Sequence, residues 1–352
     1  MSEALTFELF DSASPARGML DVLDQWQRDF PLVERPFAEI AQRHGISEDH
    51  LLNCLEVLAR EGVVGRVGAT IRPNTVGVSL LAAMSVPPER LDDVARIVNA
   101  EPGVNHNYER EHALNLWFVI AAPDDAELGA SLDRIRAATG LDVLELPLER
   151  AYFIDLGFGL GGANKDAQRS KRKLYATAAM ESKPVVDRAD LRLLCALEHG
   201  LALVSRPYAA LGALIGLCEA DVLARIARLI DVGVITRFGF ILRHRRLGYR
   251  ANAMVVFDVD DVAVDEIGEL FAAQPFVTLC YRRPRRAPFW RYNLFCMIHG
   301  QERELVCAQA DSLVELGGLS GRAHDMLFSR RCYLQRGTRL AKDGGALREA
   351  AQ

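Results

Sequence analysis

Side chains suited to acid–base chemistry alternate along one short stretch of this sequence. His106, Tyr108, Arg110 and His112 occupy successive even positions. In a β-strand, alternate residues project from the same face, so these four would lie together on one side of a sheet. An isolated histidine is more often a satisfied polar group than a catalyst, but two imidazoles, a phenol and a guanidinium on one face can bind an anion and transfer a proton. The stretch therefore predicts an acid–base site.

Arginines concentrate further along the chain, beside aromatic residues. By the same alternation, Tyr281 and Arg283 share a face. Guanidinium groups pair with carboxylates and aromatic rings stack, so this composition favours a flat, polyanionic, aromatic ligand. RNA would meet the same description, and a solvated surface is the third alternative. The clusters are Arg243-His244-Arg245-Arg246, Tyr281-Arg282-Arg283-Pro284-Arg285-Arg286, Arg291-Tyr292 and Arg330-Arg331.

Two copies of one sequence pattern must position these residues. Arg35-Pro36-Phe37 reappears 171 positions later as Arg206-Pro207-Tyr208, and Gly62 and Gly68 reappear as Gly233 and Gly239. A period this long indicates a duplicated domain and not a solenoid repeat. Two similar halves in one chain are typical of a fused dimer, which predicts a site at or near a pseudo-two-fold interface.

Each copy begins with helical periodicity and continues with alternating strands and helices. In the first copy, Phe37 to His44 and Glu48 to Glu61 are predicted helices with Ser47 as the N-cap of the second, and Val63 to Ile71 alternates as a short hairpin would. Three helices and a hairpin form a winged helix-turn-helix, and the βαββαβ order that follows is ferredoxin-like. We therefore predict an α+β fold, a tandem duplication of both domains about a pseudo-two-fold axis. The predicted boundaries are 1–75 for the first winged helix-turn-helix, 76–156 for the first ferredoxin-like domain, 157–187 for a linker, 188–247 and 248–337 for the second pair of domains, and 338–352 for a tail.

The third helix of each copy carries the wrong charge for reading DNA. Residues 47–61 contain four acidic side chains and one arginine, and residues 218–231 contain three acidic side chains and two arginines. Both helices begin with carboxylates, which suit the helix dipole and repel a phosphate backbone. The net charge of -5 points the same way. We therefore expect no nucleic-acid partner.

The amino-acid composition further restricts the class of protein to which the chain can belong. The 352 residues are 50% hydrophobic and 25% charged, as in ordinary globular proteins. No apolar run reaches the roughly 18 residues of a membrane span, and the first residues lack the basic start and apolar core of a signal peptide. The seven cysteines are scattered without a Cys-x-x-Cys pair, so neither a disulfide framework nor a metal site is indicated. These features predict a cytoplasmic protein with no membrane partner.

Several motifs resemble those of the siroheme decarboxylases. The run Val104-Asn105-His106-Asn107-Tyr108-Glu109-Arg110-Glu111, with Asn115-Leu116-Trp117-Phe118, is similar to one subunit type of that family. The resemblance covers nearly the whole chain apart from the linker and tails. It implies a fusion of two subunits with the Lrp/AsnC-like fold of the feast/famine regulators. Motifs similar to the partner subunit type are Arg237-Phe238-Gly239, Arg243-His244-Arg245, Tyr281-Arg282-Arg283-Pro284, Tyr292-Asn293-Leu294-Phe295, Met297-Ile298-His299-Gly300 and Leu327-Phe328-Ser329-Arg330-Arg331.

This resemblance implies a carboxy-lyase that removes two acetate carboxyl groups from siroheme. The products would be 12,18-didecarboxysiroheme and carbon dioxide, in heme d1 or alternative heme biosynthesis. No cofactor and no protein-bound metal are implied, because the iron belongs to the substrate. The implied partners are siroheme, homologous decarboxylase subunits and a second copy of the chain. The alternative function is a DNA-binding regulator of the Lrp/AsnC type with a small-molecule effector.

On this resemblance, we expect proton donors in both halves. Either His244 or His299 would be the axial ligand of the substrate iron. The sequence leaves open whether one half or both carry a working site. The expected proton donors are His106, Tyr108, His244 and Tyr281, and the side chains expected to bind the substrate are Arg110, His112, Trp117, Arg243, Arg245, Arg283, Arg291 and His299.

Overall fold

Two compact units make up the part of the chain that the computed structural model describes. Most of the predicted linker and the whole predicted tail lie outside the described residues. The described residues are 16–154, 157 and 184–337, of which 16–75, 157 and 184–248 belong to the first unit and 76–154 and 249–337 to the second.

Apart from β1 (Val64–Ile71) and β6 (Arg150–Ile154), both halves contain the predicted order of helices and strands. The first half contains α1 (Ala16–Gln25), α2 (Pro36–Arg43), α3 (Glu48–Arg60), β1 (Val64–Ile71), β2 (Val78–Met84), α4 (Leu91–Ala100), β3 (Val104–Arg110), β4 (Leu116–Ala122), α5 (Asp125–Thr139), β5 (Leu144–Pro147) and β6 (Arg150–Ile154). The second half contains α6 (Arg188–Leu197), α7 (Pro207–Ile215), α8 (Glu219–Asp231), β7 (Ile235–Leu242), β8 (Ala251–Phe257), α9 (Val264–Ala272), β9 (Val277–Arg282), β10 (Leu294–Gly300), α10 (Arg303–Leu316) and β11 (His324–Gln335). Strand β6 is absent from the sequence prediction. Among the described residues, no helix is both long and apolar enough to cross a bilayer.

Local sequence explains where the helices of the first unit begin. Ser47 caps α3 by accepting a hydrogen bond from the His50 N–H at 3.2 Å, as predicted. Pro36 and Pro207 open α2 and α7, at the position where the missing N–H of proline costs no helical hydrogen bond. The two halves therefore repeat each other down to the way a helix starts.

The predicted hairpin at 63–71 is wrong, because this segment is a single strand. β1 pairs antiparallel with β7, the equivalent strand of the other half, and Gly68 lies directly opposite Gly239. Neither glycine has a positive φ, so neither makes a turn. Both are needed for close approach: a Cβ on Gly68 would lie 3.1 Å from the Leu197 carbonyl oxygen, and one on Gly239 would lie 2.5 Å from that of Gln27.

The helical parts of the first unit are also bonded across the duplication. The Phe30 N–H donates to the Phe238 carbonyl at 3.2 Å, and the equivalent Leu201 N–H donates to the Val67 carbonyl at 2.7 Å. A loop of each half is thus hydrogen-bonded to the wing strand, β1 or β7, of the other half. The first unit is a pseudo-symmetric pair of helix-turn-helix domains joined through β1 and β7.

The second unit contains one nine-stranded sheet in the order β5-β2-β4-β3-β11-β8-β10-β9-β6. Each half supplies a ferredoxin-like set of strands, and the halves exchange their last ones. β6 of the first half pairs with β9, while β11 pairs first with β8 and then, further along, with β3. The partner of β6 lies far along the chain, which explains why local sequence does not reveal this strand.

Strands of the second unit alternate between a helix-covered face and a face shared by the two half-sheets. In the first half, Phe118 belongs to the core beneath α4 and α5. The next face along combines Leu81 and Trp117 of the first half with Phe295 and Met297 of the second. Each candidate residue on these strands therefore projects toward one of these two faces.

Two asparagines fix equivalent loops beside the sheet. The Asn115 side chain accepts from the Val86 N–H at 2.9 Å and donates to the Val86 carbonyl at 2.8 Å. Asn293 makes the same pair of bonds with Val259, at 3.0 and 2.9 Å. Each amide therefore satisfies a backbone donor and acceptor that leave the sheet at a strand end.

Candidate active site

The even-numbered residues of β3 lie together on the face between the half-sheets. The ring centroids of His106 and Tyr108 are 6.3 Å apart with an interplanar angle of 21°, and the Arg110 guanidinium lies 5.7 Å from the Tyr108 centroid. The prediction that these three share a face is confirmed. His106 and Tyr108 are partly exposed, whereas Arg110 is buried. A stacked imidazole and phenol beside a guanidinium can deliver a proton next to a bound anion.

A β-bulge aims His106 onto this face. The register of β3 against β4 shifts between Val104 and His106, so the extra residue, Asn105, turns into the interior. The side-chain amide oxygen of Asn105 lies 2.7 Å from His106 Nδ1 and can only accept, so Nδ1 carries the proton of the neutral ring. Nε2 is then the nitrogen that gains and loses the second proton. The second half has a bulge at the equivalent place, between Met297 and Ile298 in the pairing of β10 with β9.

Tyr281 and Arg283 form the counterpart of Tyr108 and Arg110, and they are more deeply buried. The Arg283 guanidinium lies 4.6 Å from the Tyr281 ring centroid, which confirms that the two share a face. The Tyr281 ring also stacks on Phe295 at 5.6 Å. Burial raises the pKa of the Tyr281 phenol above its usual value, although Arg283 and Arg110 oppose this shift. The phenol is therefore protonated at neutral pH.

The two equivalent arginines hold the opposite half of the unit. Arg110 donates to the Leu327 carbonyl at 3.0 Å, and Arg283 donates to the Leu146 carbonyl. Leu146 lies on β5 and Leu327 on β11, so each guanidinium contacts a strand near the end of the other half. Sequence reasoning missed this use, because it treated both arginines only as carboxylate anchors. Burial lowers the pKa of Arg283, opposed by Tyr281.

Aromatic side chains fill the space next to these arginines. The Trp290 ring lies 5.6 Å from His112 and 5.2 Å from Trp117, and Trp117 donates its indole N–H to the Leu114 carbonyl at 2.6 Å. His112 Nδ1 accepts the Leu114 N–H at 2.9 Å, so Nε2 carries the proton of the neutral ring and faces Asp325 at 3.6 Å. Trp117 and Trp290 are fully buried and belong to the core shared by the half-sheets. No motif in the sequence singled out Asp325 as a partner of His112.

Several of the clustered arginines are occupied by carboxylates of this chain. Arg291 lies 2.8 Å from Asp258, and its side chain is 65% exposed. Arg285 contacts both Asp258 and Asp261. Although burial raises the pKa of Asp258, hydrogen bonds from Arg285 and Arg291 bring it below its usual value. A substrate carboxylate would have to compete with Asp258 for Arg291, which weakens the predicted anchoring role.

The remaining predicted residues are divided between the units. His299 lies on β10 in the second unit, where its Nδ1 is 2.9 Å from the Thr278 hydroxyl. Arg243, His244 and Arg245 belong to the first unit, and 244 and 245 lie in a short 3-10 helix. Arg243 is exposed. The substrate-binding roles of these residues and the role of His244 or His299 as an iron ligand stay predictions.

Within residues 16–154 and 184–337, no group of three or more His, Cys, Asp and Glu side chains could hold a metal ion. An iron bound in a tetrapyrrole needs only an axial ligand from the protein.

Family models match the chain in the pattern that the fold defines. An AsnC-like ligand binding domain matches residues 75–152 and 246–333, and a siroheme decarboxylase NirDL-like helix-turn-helix domain matches residues 21–64 and 190–235. The protein thus belongs to the class of duplicated proteins that combine helix-turn-helix and AsnC-like domains.

Curated relatives define the family more closely. The siroheme decarboxylase NirDL subunit of Paracoccus denitrificans is 48% identical over 326 residues, covering 92% of this chain and 97% of that protein. The siroheme decarboxylase of Hydrogenobacter thermophilus is 34% identical, covering 87% of this chain and 89% of that protein. The chain belongs to the siroheme decarboxylase family.

A solved structure supports the assignment. The crystal structure of the siroheme decarboxylase NirDL in co-complex with an iron-uroporphyrin III analogue has a TM-score of 0.65 and 26% identity, covering 95% of this chain and 100% of that one. Separate subunits are also similar: the NirD subunit of Stutzerimonas stutzeri is 46% identical over 140 residues, 40% of this chain and 92% of that protein.

Proposed function

We propose that this chain converts siroheme to 12,18-didecarboxysiroheme by removing two acetate carboxyl groups as carbon dioxide. The observation that carries the proposal is the stacked His106–Tyr108 pair, which is partly exposed on the sheet face beside the Arg110 guanidinium. Together with 48% identity to a named siroheme decarboxylase, this pair supports protonation as the step that the protein catalyses.

The reaction requires a proton and no redox partner. The bond between the acetate methylene and its carboxylate breaks, carbon dioxide leaves, and the electron pair stays on the methylene carbon, where the macrocycle delocalises it. A proton then converts the methylene into a methyl group. The protein must therefore supply an acid at that carbon and a place in which the reacting carboxylate is poorly stabilised.

His106 and Tyr108 are the proposed acid pair. With Nδ1 held by Asn105, the protonated ring would deliver its proton from Nε2 and recover one from solvent. Tyr281 is the less suitable donor, since it is 7% exposed and its phenol is bonded to Arg283. The proposed working acid therefore belongs to the first half.

The cationic side chains are proposed to anchor the substrate carboxylates that do not react. An arginine paired with the leaving carboxylate would stabilise it and oppose its loss. Binding energy therefore favours the reaction only where it is gained at the other carboxylates. Arg243, Arg245 and Arg291 keep this proposed role, with His244 or His299 as the axial ligand of the substrate iron. Trp117 is buried, so any contribution to binding would come through the packing of Trp290 and His112.

Mass analysis after anaerobic incubation with siroheme tests the function directly. We expect one and then two losses of carbon dioxide with the intact chain. Separate His106→Ala and His244→Ala variants should identify the half that supplies the acid, with loss of both decarboxylations expected for His106→Ala. Full turnover by both variants would remove both histidines from the mechanism, and no mass change with the intact chain would leave a tetrapyrrole-binding protein without turnover.

DNA binding is the rival function, and the start of each third helix opposes it. Arg35 pairs with Glu48, and Arg206 pairs with Glu219. The first cation near each helix start is thus already occupied by a carboxylate, where DNA reading would need positive charge. A gel shift with random duplex at low salt is expected to show no complex.

We further propose that the chain works in the cytoplasm, as a homo-oligomer and with homologous decarboxylase subunits. All seven cysteines are free thiols, which fits a reducing compartment. Paracoccus pantotrophus has both a NirDL subunit and a NirH subunit similar to this chain. Light scattering of the purified chain, alone and with such a subunit, tests both associations, and a monomer under both conditions would contradict them.

A further inference from the structure

Equivalent β-bulges place a buried polar side chain in each half of the second unit. In the first half, Asn105 is the extra residue of β3 and is 3% exposed. In the second half, the register of β9 against β10 shifts between Val277 and Leu279, so Thr278 is the extra residue, and it is 8% exposed. Bulges re-aim side chains and are frequent beside active sites. Both bulges therefore mark positions where a polar group is directed into the interior.

Each bulge side chain contacts one histidine through the same ring nitrogen. The side-chain oxygen of Asn105 lies 2.7 Å from Nδ1 of His106, the next residue of the same strand. The hydroxyl oxygen of Thr278 lies 2.9 Å from Nδ1 of His299, which is on the neighbouring strand β10. Both histidines are partly exposed, whereas both bulge residues are buried. The bulge residues can therefore act on a ligand only through the histidines that they hold.

The two histidines do not occupy equivalent positions. The register of β3 with β4 matches that of β9 with β10, which relates the positions of the two halves. Leu279 then occupies the position of His106 in the second half, and Ala121 occupies that of His299 in the first half. The bulge is thus common to both halves, whereas the strand that carries its histidine differs.

The Thr278 hydroxyl determines which nitrogen of His299 carries the proton of the neutral ring. Its oxygen also lies 3.1 Å from the carbonyl oxygen of Met297, which can only accept a hydrogen bond. A hydroxyl has one proton, so both contacts are hydrogen bonds only if Thr278 donates to Met297 and accepts from His299 Nδ1–H. The lone pair of the neutral ring then lies on Nε2.

His299 lies on the face that also holds the proposed acid pair. Phe295 and Met297 belong to the core shared by the half-sheets, and His299 continues their alternation along β10, whose pairing with β8 is regular. The Met297 thioether also lies 3.9 Å from the Arg110 guanidinium, which packs against Tyr108. The residue whose carbonyl accepts from Thr278 thus contacts the arginine of the acid cluster through its side chain.

The register of the four central strands sets the distance between His299 and Arg110. These two residues lie at the same level of the sheet with β8 and β11 between them, so their backbones are three strand spacings, about 14 Å, apart along the sheet. A flat ligand lying across this face can therefore contact both. The pairs that define the level are His299 with Asn252, Ala253 with Phe328, and Ser329 with Arg110.

We propose that Thr278 is a positioning residue for the decarboxylation of siroheme and acts through His299. By accepting from Nδ1–H and passing its own proton to the Met297 carbonyl, Thr278 fixes both the tautomer and the orientation of the ring. Nε2 is then the nitrogen that meets the substrate. The inference rests on the proposed function, and it makes Thr278 the counterpart in the second half of Asn105 in the first.

Nitrogen NMR of the full chain with 15N-labelled histidine reads the tautomer without substrate. Above neutral pH, where imidazoles are uncharged, we expect His299 to show a protonated Nδ1 and a bare Nε2, with the resonances assigned by their loss in His299→Ala. Thr278→Val removes the hydroxyl at nearly constant volume and should shift His299 toward the Nε2–H form. Thr278→Ser keeps the hydroxyl and should keep the Nδ1–H form. The His106 resonances are the control within the same sample and should not change.

An unchanged His299 tautomer in Thr278→Val would overturn the proposal. Thr278→Ala is the second variant and must shift the tautomer in the same direction, so the test does not depend on whether the chain accepts valine.

Turnover of siroheme tests whether the orientation matters for the reaction. We expect Thr278→Val to lower kcat/KM by about tenfold or more, and Thr278→Ser to stay within about threefold of the unchanged chain. In a His299→Ala background, Thr278→Val should change kcat/KM by less than about twofold, because a positioning residue acts only through its histidine. Equal losses with and without His299 would indicate a structural role and contradict the proposal, as would full activity of His299→Ala.

The two experiments separate this inference from the proposed function. If the unchanged chain releases no carbon dioxide from siroheme, the proposed function fails, and the part of the inference that concerns siroheme fails with it. The NMR result still decides whether Thr278 fixes His299, because no substrate is present. If the chain is active and the tautomer does not respond to Thr278, only the inference fails.

Discussion

The two halves of the second unit share a framework and differ in the accessibility of its reactive groups. Arg110 and Arg283 both donate to a backbone carbonyl of the opposite half, so the residues that hold the fold remained equivalent. Tyr108 is partly exposed beside His106, whereas Tyr281 is 7% exposed between Arg283 and Phe295. The arginine–carbonyl bonds between the halves are thus equivalent, whereas the exposure of the acid–base groups differs.

Replacing each tyrosine by phenylalanine is the strongest test of this asymmetry. We expect Tyr108→Phe to lower the decarboxylation rate by about 10²–10⁴-fold, because a proton donor or its partner is removed. Tyr281→Phe should lower it by less than about tenfold, because the ring packing remains. Single-turnover assays with mass detection give both rates. A larger loss for Tyr281→Phe would move the working acid to the second half.

Removing each arginine tests whether the framework is equivalent. Arg110→Ala and Arg283→Ala should each lower the free energy of unfolding by about 2–4 kcal/mol, since a carbonyl loses a charged donor and a cavity is left. Urea unfolding of both variants measures the loss. Arg291→Ala is the control and should cost less than about 1 kcal/mol, because the Arg291 side chain is largely exposed and Asp258 keeps its ion pair with Arg285. Unchanged stability with a raised KM in either buried variant would instead support substrate anchoring.

The paired glycines should differ although they face each other. Gly239→Ala is expected to destabilise the chain by about 2–3 kcal/mol, because its Cβ would meet the backbone of Gln27 at 2.5 Å. Gly68→Ala should cost about 1 kcal/mol, because a Cβ there would lie 3.1 Å from the nearest carbonyl oxygen. Thermal unfolding compares the two variants. Equal losses would mean that the first unit is more symmetric than its contacts indicate.

His44 should give the first half a pH dependence of small size. Burial lowers the pKa of His44 from 6.5, partly offset by Asp21, and the neutral ring accepts the Trp26 N–H at 3.3 Å. As the pH falls, His44 therefore gains its proton in the unfolded chain before it does so in the folded chain. Stability from the neutral ring is fully present above 6.5 and decreases as the pH falls below that value toward the lower folded pKa. His44→Gln should flatten this part of the urea-midpoint profile, and an unchanged profile would contradict the assignment.

Features set by neighbouring residues were predictable from the sequence. The shared face of His106 and Tyr108 follows from the alternation of a strand, and the cap at Ser47 follows from its side chain and the helix beside it. The repeated motifs were enough to predict a duplicated fold. The predicted strand near 143–148 was found as β5, four residues long.

Features that depend on distant partners were not predictable. The pairing of β1 with β7 and the exchange of β6 and β11 depend on long-range packing, and alternation alone does not identify a partner strand. Charge counts likewise could not show that Asp258 occupies Arg291, or that Arg283 bonds a carbonyl.

Strand exchange connects the two halves of the chain through hydrogen-bonded strands as well as through the peptide link. A polypeptide containing only the first half would lack the β11 strand that covers β3, and one containing only the second would lack β6 at the edge of β9. Two separate chains could supply both missing strands to each other and would be obligate partners. A gene could therefore split or fuse at this point without redesign of the sheet, and Stutzerimonas stutzeri has separate NirD and NirL subunits that are each similar to part of this chain.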